Sequence, residues 1–131
     1  MPLVRISLLE GKSLQARQAI SEAVHQALVD TINVPANDRF QIISQHTPDS
    51  LIADPTYLGI DRSADVIVIQ ITLNTGRTIE MKRALYKRVA ELLADRAQVR
   101  PQDVIINLIE VPKENWSFGN GLASYVPQEN S

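Results

Sequence analysis

The chain has 131 residues, a formal charge of −2 and no cysteine. That length suits one compact domain with a sizeable core, and the lack of cysteine excludes disulfides, thiolate metal ligands and thiol nucleophiles. No basic tract is present to hold nucleic acid, and no long apolar run or signal-peptide pattern opens the chain, so a cytoplasmic protein without membrane contact is expected.

The first predicted element is the strand LVRISLL, preceded by Pro2. Proline lacks an amide N–H and is tolerated at the first position of a strand. If Met1 is removed, the same residue becomes a secondary amine at the mouth of a sheet. Gly11 then punctuates the chain, and Ser13 can cap a helix whose apolar stripe runs through Ala16, Ile20, Ala23, Val24, Ala27 and Leu28. Pro35 marks the helix end, and FQIIS returns as a strand. A turn-rich connection follows, TPDSLIADPTYLGIDRS, long enough to be read as a functional loop. Next comes VIVIQITL, in which Ile67, Ile69, Ile71 and Leu73 alternate with Val66, Val68, Gln70 and Thr72. Gly76 and Thr78 open a second helix with the stripe Leu85, Val89, Leu92 and Leu93. Pro101 ends it, VIINLIEV is the last strand, and a tail carries the single tryptophan.

The second half repeats the first. With Gly11 laid on Gly76, Ser13 meets Thr78, Leu14 meets Ile79, Ala19 meets Ala84, Val24 meets Val89 and Leu28 meets Leu93. Val34 then meets Val99 and Asp38 meets Asp103, without a gap. Each half reads as strand, helix of roughly five turns, strand, which is a βαβ unit. The expected fold is therefore α/β (α+β), with tandem units over about 2–47 and 66–111 plus a C-terminal tail. Together they make a four-stranded, mainly parallel sheet with two helices on one face, in a single domain. Its other face would carry Leu3, Phe40, Ile42, Val68, Ile105 and Ile109, too much apolar surface for a monomer, so a homo-oligomer is expected. Pro2 aligns with Ile67 in mid-chain, so any chemistry of a terminal amine exists once per chain.

Other chemistry has weaker support. His25 and His46 lack metal-ligand spacing and read as structural, so no metal site is expected. The glycines of EGKS and TGRT fall outside the phosphate-loop pattern and are explained by helix entry.

MPLVRISLLEGKS, VPANDRFQ, the NTGRT turn and ENWSFGNG resemble the tautomerase superfamily over nearly the whole chain, in particular its fused two-unit branch of malonate semialdehyde decarboxylase and relatives. The resemblance implies a cofactor-independent, homotrimeric enzyme, a tautomerase or decarboxylase acting on small carboxylate-bearing oxo acids, with Pro2 as its catalytic amine. An unperturbed terminal amine titrates at about 7.7–8.0; an apolar pocket favours its neutral form and a nearby carboxylate its cation. Neutral, it abstracts a proton beside a carbonyl; protonated, it polarises the carbonyl.

Asp38 matches the family's catalytic aspartate, although a turn aspartate is the other reading, and Asp103 at the repeated position favours that one. Arg77 would bind the substrate carboxylate. The decarboxylase pattern has two arginines in this turn whereas NTGRT has one, which leaves Arg39 and Arg62 as candidate substitutes. Trp116 and Phe118 read either as an apolar wall beside Pro2 or as an anchor for the tail, and Tyr57 of the long loop is a further pocket candidate. A non-catalytic oligomer that binds small acids on the same scaffold is the alternative from another class.

Overall fold

The computed structural model describes residues 2–127. The chain runs β1 (Leu3–Leu9), α1 (Leu14–Ile32), β2 (Phe40–His46), β3 (Ile67–Asn74), α2 (Ile79–Ala97) and β4 (Val104–Val111). The four strands form one sheet in the order β2-β1-β3-β4. β1 pairs in parallel with β2, and β3 in parallel with β4, while the central pair β1–β3 is antiparallel. Val4 faces Ile71 and Ile6 faces Ile69 across that junction. Exchanging the two halves carries one of these pairs onto the other, so a local two-fold relates the units.

The duplication extends to the helix ends. Each helix is 19 residues long. Ser13 accepts from the Ala16 N–H and Thr78 from the Met81 N–H, which satisfies one orphan donor in each first turn. The helices close at Asn33 (φ 59°) and Gln98 (φ 53°), whose N–H groups reach back to the Leu28 and Leu93 carbonyls. Ahead of each helix the chain turns through positive φ, 118° at Gly11 and 122° at Gly76, where a side chain would be strained.

Period-two alternation decides what is buried. Val4, Ile6, Leu8, Ile67, Ile69, Ile71 and Leu73 point to the helices and are essentially inaccessible, packed on Ile20, Val24, Leu28, Leu85, Val89 and Leu93. Full burial of one such side chain contributes about 1.5–3 kcal/mol. On the opposite face the register aligns Leu3 with Phe40, Arg5 with Ile42, Val68 with Ile105 and Thr72 with Ile109. Phe40, Ile42 and Ile109 remain 46%, 41% and 42% exposed, so the chain leaves this sheet face largely uncovered.

The connection between the units is pinned by polar contacts. Asp103, buried ahead of β4, accepts from the Ser63 N–H at 2.7 Å and the Ser63 hydroxyl at 2.6 Å. Arg100 donates to the Asp61 carbonyl at 3.1 Å.

Candidate active site

The antiparallel centre of the sheet brings the start of β1 beside the end of β3. Leu3 pairs with both Phe40 and Thr72, so Pro2, which is buried, lies where β2 begins and β3 ends. Asp38 sits in the turn leading into β2, its N–H donating to the Pro35 carbonyl at 2.9 Å. Arg77 follows β3, its Nη1 donating to the Asn74 carbonyl at 3.0 Å. A cleft of about 540 Å³ opens between the segments that bear Asp38 and Arg77, with Val34, Asp38, Asn74, Arg77, Lys113 and Tyr125 among its walls.

The tail closes one side. The Trp116 indole N–H donates to Asn74 Oδ1 at 2.7 Å, which explains a buried amide at the end of an apolar strand. Trp116 stacks on Phe118 with centroids 5.2 Å apart and planes 11° from parallel. Phe118 lies 5.2 Å from Phe40 and receives Tyr125 edge-on at 5.6 Å. Leu3, Phe40, Trp116 and Phe118 thus border an apolar recess over the open face, at the start of the strand that Pro2 precedes. These contacts anchor the tail on the sheet, as one reading of Trp116 and Phe118 expects.

Burial, and then the charge of Asp38, hold the Tyr125 phenol above its ordinary value. Tyr125 lines the cleft together with Asp38. The acid at β4's end is arranged differently. The Glu110 carboxyl is held below the usual carboxylate range, first by its bond to Lys82 and further by Arg77.

Other sequence candidates lie elsewhere. Arg39 turns to the helix layer, its Nη2 donating to Ser21 Oγ at 2.6 Å, where Gln41 also donates to the Ser21 carbonyl at 3.0 Å. Arg62 holds its own loop, donating to the Asp54 and Tyr57 carbonyls at 3.2 and 3.0 Å. Tyr57 is 65% exposed in that loop. His25 meets the Ala36 carbonyl at 2.9 Å and so steadies the segment before Asp38, while His46 ends β2.

Sequence reasoning missed Asn74, Lys113 and Tyr125. For Asn74 a signal existed: the repeat aligns it with Leu9, an amide where the other half has an apolar side chain. Lys113 and Tyr125 belong to the irregular tail, where no periodicity assigns a direction.

Comparison with known proteins agrees with this fold. Residues 38–119 match one family model described as a tautomerase enzyme, and residues 2–61 match a second with the same description. The probable tautomerase YusQ of Bacillus subtilis (strain 168) is 40% identical, over 96% of this chain and 99% of its own length. A malonate semialdehyde decarboxylase inhibited by 3-bromopropiolate is 42% identical with a TM-score of 0.89, over 94% of this chain and 93% of that one. A malonate semialdehyde decarboxylase with decarboxylase and hydratase activities is 35% identical with a TM-score of 0.88, over 93% and 94%. With its repeated βαβ units, its mixed four-stranded sheet and these matches, the chain belongs to the tautomerase superfamily of enzymes.

Proposed function

We propose that the protein uses the amine of Pro2, freed by removal of Met1, to decarboxylate a small 3-oxo acid, with 3-oxopropanoate as the substrate to test first. The observation that carries this reading is the asymmetry between the repeated aspartates. Asp38 lines a cleft with Arg77 at the sheet end where Pro2 precedes β1, while Asp103 is engaged by the connecting loop. The likeness to two malonate semialdehyde decarboxylases at 42% and 35% identity supports the choice of substrate.

In this mechanism Asp38 favours the protonated form of Pro2, and the ammonium donates a hydrogen bond to the aldehyde oxygen. Arg77 holds the carboxylate. The carbon–carbon bond breaks, its electron pair passes into the enolate of acetaldehyde, and carbon dioxide leaves. A proton then returns to carbon to complete acetaldehyde. The apolar surface of Trp116 and Phe118 favours the neutral carbon dioxide over the charged carboxylate. The same residues suit related chemistry: a neutral Pro2 shifts a proton in an enol, and Asp38 activates water for addition to an unsaturated acid.

The exposure of Phe40, Ile42 and Ile109 on the single chain supports a homo-oligomer, with a homotrimer as the working assembly, which sedimentation analysis tests. For the reaction itself the test is proton NMR of 3-oxopropanoate with the Met1-free protein and with Pro2→Ala. Acetaldehyde is expected with the first, and about 10²–10⁴-fold slower with the second, as for loss of a positioned acid or base. No turnover by the Met1-free protein removes the decarboxylase reading.

A further inference from the structure

We infer that Lys113 is the second cation of the substrate cleft and binds the substrate carboxylate together with Arg77, an assignment that rests on the carboxylate-binding role given to Arg77 above. The turn that carries Arg77 contains a single arginine. That arginine is partly engaged: its Nη1 is bonded to the Asn74 carbonyl, and its charge acts on Glu110. Lys113 lines the same cleft. Its ammonium is in none of the ion pairs among the described residues, whereas Lys82 is paired with Glu110.

The backbone fixes where Lys113 stands. Asn74 is in register with Val111, and the Thr75 N–H donates to the Val111 carbonyl at 3.1 Å, so the end of β4 is tied to the turn bearing Arg77. Pro112 follows, and a short turn over Lys113–Asn115 returns the chain so that the Trp116 N–H donates to the Lys113 carbonyl at 3.3 Å. Trp116 is in turn held by Asn74. The root of Lys113 is therefore fixed by the residues that shape the cleft, while its side chain is exposed to meet a ligand. With Arg77 and Lys113 against Asp38, the charged groups that line the cleft sum to a positive site, as a small carboxylate requires. A flexible ammonium supplies a point charge where a second guanidinium would supply a fork, so its effect falls on binding more than on the bond-breaking step.

The test pairs turnover with a binding measurement that needs none. For Lys113→Met the expected result is a KM for 3-oxopropanoate raised about ten-fold with kcat nearly unchanged, and rescue by Lys113→Arg. Malonate, a non-reacting carboxylate followed by NMR titration, should bind about ten-fold more weakly to Lys113→Met and with unchanged affinity to Lys12→Met, whose lysine lies in the corresponding turn of the first unit. If the wild-type protein binds malonate through Lys113 but does not turn over 3-oxopropanoate, the decarboxylation reading falls and the cation assignment stands. Unchanged KM and malonate affinity in Lys113→Met, or no malonate binding by the wild type, overturns the assignment.

Discussion

Asp38 and Asp103 occupy the same position in two copies of one unit, and their surroundings differ. Each follows a left-handed helix cap, and each N–H donates to a carbonyl three residues back, Pro35 or Arg100. Asp103 is then enclosed by the N–H and hydroxyl of Ser63, delivered by the long connection between units. Asp38 instead lines a cleft with Arg77, Lys113 and Tyr125. A duplicated scaffold therefore carries one aspartate as a fastener and the other as a candidate for chemistry. What separates them is the chain that arrives beside them.

That contrast can be broken by exchanging which property each substitution damages. The largest effect is expected for Asp38→Asn, about 10²-fold lower kcat for 3-oxopropanoate with Tm nearly unchanged, checked by steady-state kinetics and calorimetry. Arg77→Met should lower kcat/KM by about ten-fold to 10²-fold, since it removes the charged donor on the carboxylate. Asp103→Ala should do the reverse of Asp38→Asn. It strands the Ser63 donors and costs about 1.5–3 kcal/mol of stability, read as a Tm lower by several degrees, with turnover retained at low temperature. Equal losses of activity from Asp38→Asn and Asp103→Ala would erase the distinction.

A smaller contrast concerns Asp30 and its repeat partner Asp95. Arg88 on α2 reaches Asp30 on α1 at 2.9 Å, whereas Asp95 is in none of the ion pairs among the described residues. The Asp30 carboxyl is lowered from 3.8, first by Gln26 and then by Arg88. A lowered carboxyl stabilises the fold above its ordinary value, and that stabilisation is lost as pH falls through the folded value. Asp30→Asn should therefore lower Tm slightly at neutral pH, with the difference disappearing in acid. High salt should shrink it as well, because the pair is partly exposed.

How much of this was legible follows from the kind of interaction involved. The strands, both helices and the caps Ser13 and Thr78 were readable because apolar periodicity and capping chemistry are local. β3 ends at Asn74, one residue beyond the apolar alternation, because the ladder to β4 continues to Val111. The antiparallel junction of β1 and β3 was not specified by either unit alone, since it arises where two units meet. The role of Asp103 rests on Ser63, a partner forty positions away that no local pattern announces. Pro2, Asp38, Arg77, Trp116 and Phe118 were named through resemblance, and the structure collects the last four around adjoining recesses at the sheet end where Pro2 stands. Arg39 was named as a substrate-binding candidate, but its bond to Ser21 depends on which face of the edge strand it meets, and its sequence neighbours do not encode that.

The central claim is that the amine of Pro2 takes part in the reaction, and the most direct measurement changes only that nitrogen. Two forms of the chain, one beginning at Pro2 by intact mass and one with a single residue before it, would be compared by NMR for acetaldehyde formation from 3-oxopropanoate. The account predicts turnover by the first and none by the second, whose Pro2 nitrogen is an amide without basicity. Equal turnover by both forms would contradict it.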